Sequence, residues 1–241
     1  MTPFNERPSD EDRKQLITLG LPKSVHQFLA GLFALPVERY SRHISHPIII
    51  FSFITAFVGI HLFSINLGSS EFVYSWAFIP EQYYRHGFIT LISSFFLHAS
   101  WAHLVGNAYY FYIFGDDVED ELGFTQFLIL LFGGHVAGIL LQAKFGGDPS
   151  IPILGASAGI SALQGFYMVY FPKRQITYML LFFYVWIHVP AAISFLWKFG
   201  WEFVMATKVG TATGIAFWAH IGGALFGIVL GLIKLIVSKS K

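Results

Sequence analysis

Long stretches without charge constrain this chain more than any other feature. Six of them, each 22 to 30 residues long, contain no Asp, Glu, Lys or Arg. They are residues 43–70, 86–115, 122–143, 149–172, 175–197 and 209–233. An α-helix needs about 20 mostly apolar residues to cross a bilayer, so each stretch can hold one span. Lipid offers backbone groups no hydrogen-bond partners, and the alternating segments of a β-barrel are missing, so the spans are predicted to be helices.

Composition excludes several other classes of protein. Hydrophobic residues make up 55% of the 241 and charged residues 12%, about half of the ~25% that soluble domains carry. A soluble globule, a disordered chain and a coiled coil are therefore excluded. There is no cysteine, which removes disulfides, thiol nucleophiles and thiolate metal sites. The net charge of +1 argues against a polyanion such as nucleic acid as a partner.

The predicted fold is an all-α membrane protein with six transmembrane helices and a short cytoplasmic N-terminal extension. The spans are expected near 47–67, 102–114, 125–145, 157–171, 176–197 and 214–236. The second and fourth are short, which suggests that polar groups or water enter from one side. Three domains follow: an extension over 1–46 with an interfacial helix at 25–40, a six-helix domain over 47–236, and a tail over 237–241.

Lysine and arginine predict the orientation. With six spans both termini share one side, and that side carries 11 of the 15 Lys and Arg residues. Positive residues favour the cytoplasmic side, so both termini are predicted to be cytoplasmic, in an integral, multi-pass protein of a cell (plasma) membrane. The segment 115–123, predicted as an inner loop, is acidic, but acidic residues weigh little in this rule.

Polar residues inside the apolar stretches are costly in lipid and form three clusters. His98, His103 and Asn107 form the first. His103 and Asn107 are four residues apart and so share one face of a helix. They are able to hydrogen-bond between helices or to serve a site within the bundle.

The other two clusters combine small residues with a serine or a histidine. Ser157 lies in the run Gly155–Gly159 after a loop rich in glycine and proline, at the expected start of a helix. It fits a helix N-cap as well as a nucleophile. His220 precedes Gly223, Gly227 and Gly231, whose four-residue spacing makes one smooth helix face. Ser157, Ser161 and Gly165 have the same spacing; packing of the two faces would bring Ser157 and His220 to similar depth.

Together the clusters suit acyl-transfer chemistry. A serine hydroxyl attacks only when a base takes its proton, and His220 is the candidate base for Ser157. No acidic residue lies within the six predicted spans, so a Ser–His dyad is expected rather than a triad. His103, Asn107 and the Ser157 backbone N–H are candidate donors for the developing oxyanion.

The motifs H-x-x-x-N, G-A-S-x and A-H-x-G-G, in this order on separate spans, resemble those of the rhomboid family of intramembrane serine proteases. The likeness includes His98, five residues before His103, and extends over about residues 47–233. It implies a Ser157 nucleophile, a His220 base and an oxyanion hole lined by His103 and Asn107. His98, Gly155, Gly223 and Gly227 would support that site. Substrates would be transmembrane helices cleaved near the outer membrane face, with no cofactor and no metal.

The sequence departs from the family's pattern at three places. Ala158 follows the serine where many members have Gly. Ser161 stands where several members have an aromatic ring that stacks on the catalytic histidine. Ile89 and Thr90 occupy the spacing of a Trp–Arg pair in the first outer loop.

Two other functions stay open on the sequence. A non-catalytic rhomboid-like protein would bind transmembrane clients, although such relatives usually lack the serine or the histidine. A transporter would use the ten histidines along an ion path, but no internal repeat is present. The H-E-x-x-H motif of a zinc protease is absent, as are aspartates within the predicted spans. Substrate identity, oligomeric state and the role of residues 1–46 are not predicted.

Overall fold

Helix dominates the part of the chain that the computed structural model describes, namely residues 18–20, 35–38, 47–180 and 185–239. The α-helices of this part are α1 (Ile48–Asn66), α2 (Ser69–Trp76), α3 (Thr90–Ser93), α4 (Trp101–Phe145), α5 (Ser157–Tyr170), α6 (Ala191–Lys208) and α7 (Phe217–Lys239). Its strands are β1 (Thr18–Gly20), β2 (Val37–Glu38), β3 (Gln175–Leu180) and β4 (Val185–Pro190).

Among the described residues, three helices are long and apolar enough to cross a membrane, namely Ile48–Asn66, Trp101–Phe145 and Phe217–Ser238. Large apolar side chains such as Phe51 and Leu62 on α1 and Val229 and Ile236 on α7 are exposed along them. Such surfaces need lipid rather than water. The chain is therefore an integral membrane protein, whereas the six-span count and the orientation stay predictions.

Helix α4 is a hairpin of two helical arms rather than one rod. Gly123 has φ 68° and ψ 175°, a backbone conformation that suits glycine and ends the first arm. The rings of Phe111 and Phe127, on opposite sides of Gly123, are 6.1 Å apart, whereas sixteen residues of straight helix would span about 24 Å. The predicted loop over 115–123 is thus wrong in extent, because helix continues to Leu122 and the turn is Gly123.

Small residues let the second arm of α4, α5 and α7 pack in backbone contact. A Cβ on Gly223 would lie 2.0 Å from the carbonyl oxygen of Ala158, and one on Gly227 1.8 Å from that of Ala162. Since both pairs advance by four residues in the same direction, α5 and α7 run parallel. The glycine face of α7 makes the contact expected from its spacing, but its partners on α5 are Ala158 and Ala162 rather than Ser157 and Ser161.

The predicted fifth span, 176–197, is wrong. Residues 175–180 and 185–190 form the central strands β3 and β4 of a four-stranded antiparallel sheet, in the order β1-β4-β3-β2, and helix begins only at Ala191. β-Branched and aromatic residues dominate these strands, and such residues favour a sheet. The absence of charged residues does not distinguish strands of a sheet from a transmembrane helix, because both structures satisfy the hydrogen-bonding groups of their backbone. Pro190, which has no N–H, precedes the helix α6.

A buried acidic cluster joins the sheet to the helices. The Tyr167 hydroxyl of α5 donates to Glu38 of β2, and Arg174 pairs with Asp117 of α4. Burial, reinforced by the charges of Asp117 and Asp116, raises the pKa of Glu38 well above its usual range. Glu38 therefore tends to keep its proton, which lowers the repulsion among the three carboxyl groups.

The N-terminal predictions are tested only in small part. Residues 1–17, 21–34 and 39–46 lie outside the described residues, and with them most of the interfacial helix expected over 25–40. Within that range Val37–Glu38 form β2, so helix does not extend to its predicted end. Thr18–Gly20 pair with β4, so this part of the N-terminal extension belongs to the sheet.

Candidate active site

Ser157 is the first residue of α5 and is half-buried. Backbone hydrogen bonds to two other segments of the chain fix the loop that precedes it. Phe78 and Ile153 exchange backbone hydrogen bonds of 3.1 and 2.7 Å, and the Gly155 N–H donates to the Ser94 carbonyl over 2.8 Å. Within the described ranges the Ser157 hydroxyl makes no hydrogen bond, to His220 or to any other group. The fold thus places an unengaged hydroxyl at the start of a helix.

Gly155 brings this loop against His103 and Asn107. Its φ of +110° is one that residues with side chains rarely adopt, and a Cβ there would lie 2.7 Å from the His103 Nε2 and 3.6 Å from the Asn107 Nδ2. Both side chains come from the first arm of α4, which starts with Ser100 accepting a hydrogen bond from the His103 N–H. The two polar side chains of the first cluster therefore lie beside the loop that carries Ser157.

The ring of His98 packs against the ring of His103. Its ring is 5.1 Å from the His103 ring and 5.0 Å from that of Phe57, centroid to centroid. His98 is 2% exposed. Neither its ring nitrogens nor the Asn107 Nδ2 has a hydrogen-bond partner among the described residues. Asn107 is thus a buried donor facing the loop of Ser157 without an acceptor, which is the state expected of a group that serves a bound oxygen.

His220 lies in the first turn of α7 and is half-buried. Gln142 of α4 accepts a hydrogen bond of 3.2 Å from the Ala219 N–H and so caps one of the free N–H groups at this helix start. Because α5 and α7 are parallel and Ala158 is level with Gly223, Ser157 and His220 lie at neighbouring helix starts at similar depth.

Glu202 of α6 is a site residue that sequence reasoning missed. Its Oε1 is 3.0 Å from the His220 Nδ1 and 3.0 Å from the Lys198 Nζ. The expectation that no carboxylate accompanies the dyad is therefore wrong. That expectation was based only on segments free of charged residues. The part of α6 that contains the Lys198–Glu202 ion pair was therefore not considered. The four-residue spacing of Lys198 and Glu202 was a usable signal, since such pairs neutralise each other on a helix.

A second serine–histidine pair lies deeper in the bundle. The Ser94 hydroxyl and the His135 Nε2 are 3.0 Å apart, and both residues are 0% exposed. A substrate cannot reach a fully buried hydroxyl without unfolding of its surroundings. The pair is therefore a structural contact.

Metal-ligating groups cluster away from Ser157. Ligand atoms of Glu38, Asp116 and Asp117 lie within 4.8 Å of one another. Asp116 is thirteen residues from His103 along the same arm of α4, or about 20 Å of helix. Arg174 supplies positive charge to Asp117, and the Tyr167 hydroxyl donates to Glu38, so protein groups already engage two of these three carboxyl groups.

Comparison with known proteins identifies the family. The model described as the Rhomboid domain matches residues 80–236, which include every candidate site residue named above. The chain belongs to the rhomboid family. This confirms the resemblance that the three motifs indicate.

Two curated relatives are each similar to part of this rhomboid chain. RHOMBOID-like protein 6, mitochondrial, from Arabidopsis thaliana is 32% identical over 158 residues, which are 62% of this chain and 45% of the relative. Rhomboid protein 1, mitochondrial, from Saccharomyces cerevisiae is 28% identical over 157 residues, 59% of this chain and 41% of the relative. The aligned part of this chain thus spans less than half the length of either relative.

Proposed function

We propose that this rhomboid-family chain is an intramembrane serine endopeptidase that cleaves transmembrane helices near the outer membrane face. Ser157 is the nucleophile, His220 the general base, and His103 and Asn107 line the oxyanion hole. The main support is the packing of α5 against α7, which sets a serine and a histidine at neighbouring helix starts. Membership of the family adds to it.

The proposed reaction follows from these positions. The Ser157 Oγ attacks the scissile carbonyl carbon while the His220 Nε2 takes the hydroxyl proton. The carbonyl oxygen gains negative charge and accepts hydrogen bonds from Asn107 and His103. Collapse of the tetrahedral intermediate breaks the C–N bond, and His220 returns the proton to the leaving amine. Water then hydrolyses the acyl-enzyme by the same steps, with His220 again as base.

The length of α5 supports access of water to the site. Its 14 residues span about 21 Å, less than the ~30 Å hydrocarbon core. A helix of this length ends below one membrane surface, so Ser157 at its start is proposed to lie at the bottom of a water-filled depression. A substrate helix has to unwind locally to present an extended carbonyl there. Helix-breaking residues near the cleavage site would lower the free energy of that step.

The proposed partners are the lipid bilayer and transmembrane protein substrates. Both relatives are named mitochondrial, so they lend no support to the plasma-membrane prediction. Cell fractionation measures which membrane carries the chain. Protease protection of tagged termini measures whether both are cytoplasmic, as the Lys and Arg distribution predicts.

Cleavage of a tagged transmembrane reporter in liposomes tests the activity. The parent chain is expected to cleave it, whereas Ser157→Ala and His220→Ala should each lower kcat by at least about 10³-fold. Equal melting temperatures of the three proteins would show that they are all folded. Cleavage by all three would contradict the proposal. Binding of a helical reporter by a folded parent that does not cleave a panel of such reporters would favour a client-binding function instead.

A further inference from the structure

Glu202 is the group best placed to control the imidazole of His220. It is 8% exposed, and its Oε1 accepts from the His220 Nδ1 over 3.0 Å and from the Lys198 Nζ over 3.0 Å. Among the described residues no aromatic ring packs on His220, and Ser161, one turn below Ser157, offers only a hydroxyl. The Glu202 carboxylate is therefore the side-chain contact that orients the ring.

The contact also sets which ring nitrogen carries the proton. An ionised carboxylate has no proton to donate, so a hydrogen bond to it requires Nδ1–H. In neutral His220 the lone pair is then on Nε2, the nitrogen that a base for Ser157 has to use. When Nε2 takes the serine proton, the ring becomes cationic beside a fixed negative charge, which stabilises it.

Lys198 accounts for a carboxylate at this buried position. Burying an unpaired carboxylate is costly, whereas an ion pair with hydrogen bonds offsets much of that cost. Lys198 and Glu202 are four residues apart on α6, so the pair forms within one helix. The lysine thus favours the ionised form of Glu202, which is the form that can only accept from Nδ1.

We propose that Glu202 is the positioning residue for His220, so that hydrolysis depends on a Ser157–His220–Glu202 triad rather than a dyad. This rests on the proposed function and adds to it a third group from a different helix. The carboxylate touches no substrate. It acts through His220, by fixing the tautomer and stabilising the imidazolium.

The variant Glu202→Gln separates this role from simple packing. The amide has nearly the same shape, but its NH₂ group can donate to Nδ1, which moves the ring proton to Nε2 and removes the base. We expect kcat to fall by as much as about 10⁴-fold, the loss seen when a triad carboxylate becomes an amide. KM should stay within about threefold and the melting temperature close to that of the parent. Glu202→Asp, which keeps the charge, should recover part of kcat.

Two controls complete the experiment. Glu81→Gln makes the same chemical change at an exposed glutamate and should leave kcat and KM unchanged. In a Ser157→Ala background, Glu202→Gln should leave binding of the transmembrane reporter unchanged, because a positioning residue affects the chemical step and not the substrate contact.

The outcomes distinguish the triad from the activity itself. A Ser157-dependent parent whose Glu202→Gln variant keeps its kcat would overturn the triad and leave the protease proposal standing. A fall of kcat together with the melting temperature, without recovery in Glu202→Asp, would assign Glu202 a packing role and also overturn it. A parent that does not cleave, or cleavage that survives Ser157→Ala, would overturn the proposed function and the triad together.

Discussion

Two serine–histidine pairs in this molecule differ in a way that separates a candidate site from a structural contact. Ser94 and His135 are hydrogen-bonded over 3.0 Å and are 0% exposed. Ser157 and His220 are both half-buried and not hydrogen-bonded to each other. The pair with the better hydrogen bond is therefore the one that a substrate cannot reach. Catalytic contacts are often long in a free enzyme and tighten in the substrate complex.

The surroundings of the two histidines differ as well. His220 has Glu202 on its Nδ1, while the Nδ1 of His135 has no partner among the described residues. His135 therefore lacks the carboxylate contact that holds the His220 ring. The two pairs are nevertheless linked, because the Ser94 carbonyl accepts from the Gly155 N–H. The buried pair thus helps to hold the loop that carries Ser157.

Labelling with a fluorophosphonate probe should give the largest difference between the pairs. The probe modifies an activated, reachable serine, so Ser157→Ala should abolish labelling and His220→Leu should slow it by at least about 10²-fold. Ser94→Ala and His135→Leu should keep the labelling rate within about threefold if the protein stays folded. Gel fluorescence measures the rates. Adduct on Ser94 in a peptide map would contradict the distinction.

Asn107→Ala should give the next largest effect, a loss of activity at the Ser157–His220 pair. Loss of one oxyanion donor typically lowers kcat by about 10²–10³-fold. KM should change little, because the donor serves the transition state rather than the bound substrate. Reporter kinetics in liposomes measure both constants. An unchanged kcat would remove Asn107 from the oxyanion hole.

Gly227→Leu should reduce both activity and stability, because the relative positions of Ser157 and His220 depend on close packing of α5 and α7. Even a Cβ at this position would lie 1.8 Å from the Ala162 carbonyl oxygen, so the helices have to separate. We expect a destabilisation of about 2 kcal/mol or more. Gly59→Leu is the matched control, since a Cβ on Gly59 would meet nothing within 4 Å. Equal melting temperatures and activities of the two variants would contradict the packing argument.

Ser94→Ala should have the smallest effect, and mainly on stability. Loss of the hydroxyl leaves the buried His135 Nε2 without a partner, which typically costs about 1–3 kcal/mol. For a chain of this size each kcal/mol lowers the melting temperature by about 2–4 °C. Ser75→Ala, at an exposed serine of α2, provides the comparison in detergent. A melting temperature equal to that of Ser75→Ala would mean that the buried pair contributes nothing to stability.

Local sequence patterns were sufficient for the family and for several helices. The charge-free stretches 43–70 and 209–233 contain all of α1 and most of α7, because length and apolarity determine whether a segment can span a bilayer. The glycine spacing at positions 223 and 227 predicted a close helix contact, which α5 and α7 make. The Rhomboid model over residues 80–236 confirms the family.

The same sequence patterns gave wrong predictions where the local structure depends on contacts with residues that are far away in the sequence. Residues 175–180 and 185–190 are as free of charge as a span, yet they pair with Val37–Glu38 and Thr18–Gly20 in a sheet. Strand pairing joins segments that are far apart in sequence, so no local window contains the information that selects it. The acidic residues 116 and 117 likewise belong to the helical arm of α4, where Arg174 offsets part of their charge.

The sequence by itself determined that this is an integral membrane protein of the rhomboid family, with Ser157, His220, His103 and Asn107 as its candidate site. Residue type and spacing along single helices carry that information. Only the tertiary structure decided that Gly155 lies against His103 and that Glu202 contacts His220 from α6. Contacts between helices depend on which faces pack together, and the spacing of residues along a single helix does not contain that information.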